Sequence, residues 1–231
     1  SRVSANSNLV ARSDIETIGA YAGGTIGLST TSVVEHAGNG VIHTKIQAGR
    51  NEETGESFAG GLVGSFGLAG NVYGNYTRET TVTADGDNVG GLFGYTAGGW
   101  IQRNFSDSST VVTGRNHVGG FTGLMQGRQT EISSTYEDAL FYESYNANTV
   151  RGQDYVGGFV GCYLPGSGDH WIPSAENFYG LVMMGTVEAG GASSRTATSS
   201  DAGKAAGDPA ASRADLFLNM GNTMGWSGKS L

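Results

Sequence analysis

Apolar positions along this chain come in short runs that alternate with polar ones and are cut at close intervals by glycine. The runs Thr81-Val82-Thr83, Val111-Val112-Thr113, Thr149-Val150 and Thr186-Val187 are β-branched. Alternation over so few residues is the period-2 signal of half-buried strands. Each run is preceded by an aromatic residue behind a small polar one: Asn75-Tyr76, Asn104-Phe105, Ser144-Tyr145 and Asn177-Phe178. A third element is the triplet Gly-Gly-x-x-Gly, at Gly23-Gly24…Gly27, Gly60-Gly61…Gly64, Gly90-Gly91…Gly94, Gly119-Gly120…Gly123 and Gly157-Gly158…Gly161. Ala22, Ala59, Val89, Val118 or Val156 stands before each pair, and Leu62, Leu92, Phe121 and Phe159 follow the later four. Each unit is therefore predicted as three short strands: the glycine-triplet strand, the Asn-aromatic strand and the Thr-Val strand.

The first glycines of successive triplets lie 37, 30, 29 and 38 residues apart (23 to 60, 60 to 90, 90 to 119, 119 to 157). Glycine fills 40 of 231 positions, so chance alone would supply roughly one triplet, against a usual glycine share of about 7%. Five copies in one context make an array. Such a unit cannot bury its own apolar face, so neighbours must stack. Stacked three-strand rungs predict an all-β fold, a parallel β-helix with Val, Leu, Ile and Phe inside. Five rungs about 4.8 Å apart would make a rod on the order of 24 Å long. An immunoglobulin-type sandwich also uses short strands and frequent turns, but it leaves the recurring triplet unexplained.

The segments Val89-Gly90-Gly91-Leu92-Phe93-Gly94 and Val156-Gly157-Gly158-Phe159-Val160-Gly161, each after an Asn-aromatic strand, resemble the GLUG repeat. That repeat is found in large exported bacterial and archaeal proteins, among them filamentous-haemagglutinin-like adhesins and non-catalytic regions of immunoglobulin A-cleaving metallopeptidases. The likeness covers about residues 58–190, with a degenerate first copy in which Thr25 replaces the apolar residue. It implies an extracellular or cell-surface location and a scaffold role. It says little about activity, because a scaffold does not define a site.

Composition narrows the function classes. Thirteen Lys and Arg against 21 Asp and Glu leave a net charge of −8, which disfavours nucleic acid, since phosphate binding needs clustered cations. No stretch approaches the roughly 20 apolar residues of a spanning helix, and Ser1-Arg2-Val3-Ser4 opens without the apolar run of an export signal. The single Cys162 can form no internal disulfide. Of the domain layout, residues 1–190 are expected to form the solenoid, with units starting near 22, 59, 89, 118 and 156 and residues 1–20 as a weakly signalled cap. The small polar stretch 191–214 is read as a flexible linker, and 215–231, carrying Leu216-Phe217-Leu218 and Trp226, as a C-terminal cap.

Candidate chemistry is sparse. Gly-x-Ser-x-Gly, His-Glu-x-x-His and phosphate-loop runs are absent, and the four histidines lack ligand spacing, so neither cofactor nor metal is expected. Asp85-Gly86-Asp87-Asn88 resembles a fragment of a calcium loop but lacks a bidentate Glu at the right distance, and a tight turn is preferred. Asn75-Tyr76-Thr77 and Asn104-Phe105-Ser106 are glycosylation sequons at one repeat position, where a stacked asparagine ladder is preferred to a glycan.

The glycine pair and the Asn-aromatic strand are 15 and 14 residues apart in units two and three, but 25 and 20 in units four and five (60 to 75, 90 to 104, 119 to 144, 157 to 177). The excess, about Met125–Leu140 and Tyr163–Pro173, falls at one place in the repeat, so both inserts should emerge on one side of the rod. They carry Tyr136, Tyr163, Asp169, His170 and Trp171, with Trp100 one rung below. These six are the candidate binding residues, although self-packing inserts would explain them as well. The resulting expectation is a non-enzymatic adhesin-type module, part of a larger surface protein, that presents a loop face to a glycan or protein. Two other readings stay open: a solenoid domain of a pilus or filament subunit, and a polysaccharide-active β-helix enzyme using acids such as Glu137, Asp138 and Asp169.

Overall fold

The structure, a computed structural model, describes residues 3–30, 33–67, 69–97, 100–126, 128–129, 136–137, 140–164, 178–183, 186–189 and 204–205. Among the described residues the fold is all-β, and apart from one small hairpin every strand pairing is parallel. It is a parallel β-helix. Each coil has five strands, for example Ala69–Tyr73, Tyr76–Arg78, Thr81–Ala84, Asp87–Gly90 and Phe93–Ala97. Coils beginning at Val3, Val33 and Trp100 repeat this order, and in the one beginning at Leu140 the first two strands merge as Leu140–Asn146. Phe178–Met183, Thr186–Ala189 and Lys204–Ala205 belong to a sixth coil. The first two strands of successive coils build a ten-stranded sheet, the third and fifth build two six-stranded sheets, and the fourth a five-stranded one.

Register follows the repeat. Ala22, Ala59, Val89, Val118 and Val156 form one column of parallel partners. The unit differs from expectation in having five strands, because the glycine triplet is a corner between two strands. Gly90 ends Asp87–Gly90, Gly91 and Leu92 turn, and Gly94 lies in Phe93–Ala97. Leu62, Leu92, Phe121 and Phe159 point inward from this corner and are buried. Their carbonyls each accept two successive N–H groups from the coil before, as Leu92 does from Leu62 and Val63 at 2.9 and 3.0 Å. Positive φ among described glycines is confined to Gly38, Gly55 and Gly74, so the triplet glycines are needed for space. A Cβ on Gly61 would strike the Gly91 carbonyl and come within 2.7 Å of Thr77 Cγ2 across the interior. Gly60 and Gly64 likewise face backbone atoms of adjacent coils.

The left-handed conformation is used at other corners, and it stacks. Ser7, Gly38, Gly74 and Arg103 have φ of 56, 63, 65 and 54, and each precedes an asparagine. Asn8, Asn39, Asn75 and Asn104 form a ladder: each Nδ2 donates to the next Oδ1, at 2.8, 3.0 and 2.9 Å. The same oxygens accept the backbone N–H of the preceding asparagine, all at 3.0 Å. The second amide hydrogen of Asn39, Asn75 and Asn104 goes to the carbonyls of Ala5, His36 and Val72. Both sequon asparagines are thus buried within the ladder. Ser144 continues the position, its Oγ accepting from the Asn104 N–H at 3.3 Å.

Residues 3–17, weakly signalled as a cap, form strands of the first coil. Within 191–214, Lys204–Ala205 pairs with Cys162 and Tyr163. The rest of that segment and the expected cap at 215–231 lie outside the described residues.

Candidate functional site

The corner between the fifth strand of one coil and the first strand of the next carries the inserts. Thr122–Gln126 and Val160–Leu164 pair so that Gln126 opposes Leu164, and the chain re-enters at Leu140 and Phe178, with Phe141 opposing Phe178. Both inserts therefore leave and return at the same edge. Trp100 opens its strand at this corner, in register with Asn71 and Leu140. In the first insert, Arg128–Gln129 and Tyr136–Glu137 make a short antiparallel pair, with Gln129 opposite Tyr136.

The insert bounds differ from those the spacing suggests. Both begin later, and the second ends later, because Phe178 pairs with Phe141 and Leu181, not Asn177, stands opposite Ser144. Met125 and Tyr163 were expected at their starts, yet both are strand residues in register with each other, one place before the strands end. Tyr163 continues the column Phe66, Thr96, Met125, all three buried. Strand pairing continues beyond the glycine corner, where Met125 extends the inward column into the core and Leu124, on the opposite face, is also buried. Asp169, His170 and Trp171, with Asp138, lie outside the described residues. Cys162 is a buried thiol in register with Leu124.

Four acidic groups on the described surface, Glu35, Glu79, Asp87 and Asp107, are engaged between coils. Asp87 accepts from Arg115 Nε at 2.9 Å and from the Asn116 N–H at 3.3 Å, and Asn88 has φ 67. An arginine thus occupies the carboxylate of the calcium-like fragment; of its four residues Asp85 and Gly86 make the bend between two strands, and Asp87 and Asn88 open the strand Asp87–Gly90. Glu79 meets His43 Nδ1 at 2.7 Å, while Arg78 lies 3.6 Å from Asp107. Asp107 in turn accepts from the Ser109 N–H and hydroxyl. Tyr73 donates to Glu35, and this hydrogen bond, with the carboxylate's charge beside it, pushes the phenol's pKa up.

Aromatic columns on the outside escaped the sequence reading. Tyr76 and Phe105 stack one coil apart, centroids 5.1 Å and planes 7° from parallel, and Tyr21 stacks on Phe58 in the same way. The Tyr76 ring also lies where a Gly40 side chain would be. The ring faces are spent on one another along the rod, so these pairs consolidate coils and offer edges to solvent.

Inside, Thr25 turns out to be matched. Its hydroxyl lies 2.9 Å from His36 Nε2 and donates to the Leu62 carbonyl at 2.9 Å, while His36 Nδ1 is 3.1 Å from Asn75 Oδ1. His36 is fully buried in a column continued by Val72 and Ile101, so the polar Thr25 answers a polar His36. Desolvation pulls the His36 pKa from 6.5 down to about 4, against the hydrogen bond that Asn75 Oδ1 accepts from the ring. The unfolded chain therefore binds the proton first. Stability is full above about pH 6.5 and falls as pH drops toward 4, by roughly 3 kcal/mol at about 1.4 kcal/mol per pKa unit. Replacing the pair by its repeat equivalents, Thr25→Leu with His36→Val, should make the pH 7 to 5 stability profile measured by urea unfolding shallower, the remaining slope coming in part from His117, whose pKa burial also lowers. An unchanged slope in the double variant would refute the assignment to His36.

No family model, curated protein or solved structure matches this chain.

Proposed function

We propose that this chain is a non-enzymatic extracellular module that works as a rigid rod and presents its inserts from one corner to a surface glycan or protein. The observation that carries this reading is the shared exit and re-entry of both inserts at Gln126/Leu164 and Phe141/Phe178, with Trp100 opening a strand at the same corner. Elsewhere, aromatic stacks and ion pairs on the described surface join one coil to the next. The Gly-Leu-x-Gly motifs, similar to GLUG repeats, support an adhesin-type setting. A net charge of −8 favours neutral glycans or basic protein surfaces over acidic polysaccharides and anionic membranes.

A glycan array and a pull-down from host-surface extracts test this with three proteins. They are the wild type, a Trp171→Ala variant, and a variant whose residues 127–139 are replaced by Gly-Gly, copying the Gly98-Gly99 connection between Ala97 and Trp100. The shortened protein should keep its melting temperature and lose at least tenfold in affinity for the partner found, since aromatic anchors dominate such contacts. A partner bound equally by all three would remove the inserts from the binding face.

A further inference from the structure

The first coil is open on one side. Its strands Val3–Asn6, Leu9–Ala11, Asp14–Thr17, Tyr21–Gly23 and Ile26–Ser29 lie at sheet edges, without a described partner beyond them. Val10, Ile15 and Ile26 are only partly buried, whereas their partners Val41, Ile46 and Val63 in the next coil are fully so. Of the six exposed large apolar side chains among the described residues, four belong to this coil: Leu9, Tyr21, Leu28 and Ile18, the last 98% exposed. Paired edges and covered apolar ends are what a stacked repeat needs.

The ladder states what would cover it. Asn39, Asn75 and Asn104 each receive, on Oδ1, the N–H and Nδ2 of the asparagine one coil earlier. Asn8 makes both donations upward, and its own Oδ1 has no donor among the described residues. Ser7 already holds the left-handed φ of 56 that precedes every ladder asparagine. The opposite end offers no match. There the position passes to Ser144 and then to Leu181, its parallel partner, so the chain's own last coils lack the amide that Asn8 Oδ1 would accept from.

We propose that the Val3–Ser29 edge is a docking surface for one further solenoid coil, parallel and in register, carrying a left-handed residue followed by asparagine at this corner. The incoming asparagine donates its N–H and Nδ2 to Asn8 Oδ1, and the free Asn8 amide hydrogen reaches the carbonyl three residues before it. The coil's apolar side chains cover Val10, Ile15 and Ile26. This addition is β-augmentation on several edges at once. It is independent of what the inserts bind.

The test grafts a coil of known shape onto the full chain: residues 69–99, which include Asn75, placed directly ahead of Val3. Hydrogen exchange should show the Leu9, Ala11, Asp14 and Tyr21 amides, which point away from the second coil, protected at least tenfold more than in the parent. The same graft with its asparagine changed to leucine should leave the Leu9 and Ala11 amides near parental exchange. A second graft built from residues 33–67, bringing Asn39, guards against misfit of a single sequence. Failure of both grafts to protect the first coil overturns the proposal, and so does equal protection by the leucine graft, which would reduce the edge to a non-specific apolar cover. Concentration-dependent protection of these amides in the ungrafted parent would name a second copy as occupant and likewise overturn it.

Discussion

Gly120→Val is expected to destabilise the rod by about 3 kcal/mol or more. A Cβ at Gly120 meets Asn146 Nδ2 and the Gly158 carbonyl, and neither can withdraw. The carbonyl belongs to the corner of the next coil, which is held by the Gly120 N–H bonded to Gly157 O at 3.1 Å. The amide of Asn146 is buried and bonded to Gly158 O. At this chain length the loss corresponds to a fall of roughly 6–12 °C in melting temperature. Gly91→Val should behave alike, since its Cβ faces Gly120 O and Asn148 Nδ2. Arg115→Ala is the control. It removes an exposed pair with Asp87, a contact of the kind that contributes within about 0.5 kcal/mol. Calorimetry showing similar melting for all three would mean the corners are not close-packed.

Asn75→Ala should cost about 3–5 kcal/mol, because it strands several buried groups at once. Asn39 N–H and His36 Nδ1 lose their acceptor, Asn39 Nδ2 loses one of its contacts, and the His36 carbonyl loses its donor. Asn104→Ser should cost less, since Ser144 fills the same position in the coil above with one hydroxyl. Asn71→Ala, exposed on the same sheet, should be near neutral. Urea unfolding measures all three. A cost below about 1 kcal/mol for Asn75→Ala would mean that water readily replaces the ladder, against the usual penalty for an unsatisfied buried group.

The array and the parallel β-helix were legible because the Gly-Gly-x-x-Gly corner is sterically unforgiving and therefore repeats in sequence. Its spacing carried the register of Val89, Val118 and Val156. The strand before each ladder asparagine was not legible. Ala69–Tyr73 and Trp100–Gln102 share no residue pattern, because their outward positions are solvent-facing and their inward ones vary from His36 to Val72 to Ile101. The left-handed corners were hidden for a similar reason: Ser7, Gly38, Gly74 and Arg103 do the same backbone work with different side chains. Asn8 and Asn39 could have been found by asking which asparagines lie one coil before Asn75. For the inserts, spacing located the corner but not its bounds, since Met125 and Tyr163 continue strands whose ends only pairing defines.

Inter-coil hydrogen bonds in the four parallel sheets run along the rod, which gives the molecule a directional response to force. A pull along the axis loads every bond between two coils together, and they must break as a group. A pull that lifts one strand sideways from an end loads them one after another, and each coil holds only its neighbours. A tether anchored along the axis would therefore resist traction that the same rod, gripped at the rim of its outermost turn, could not.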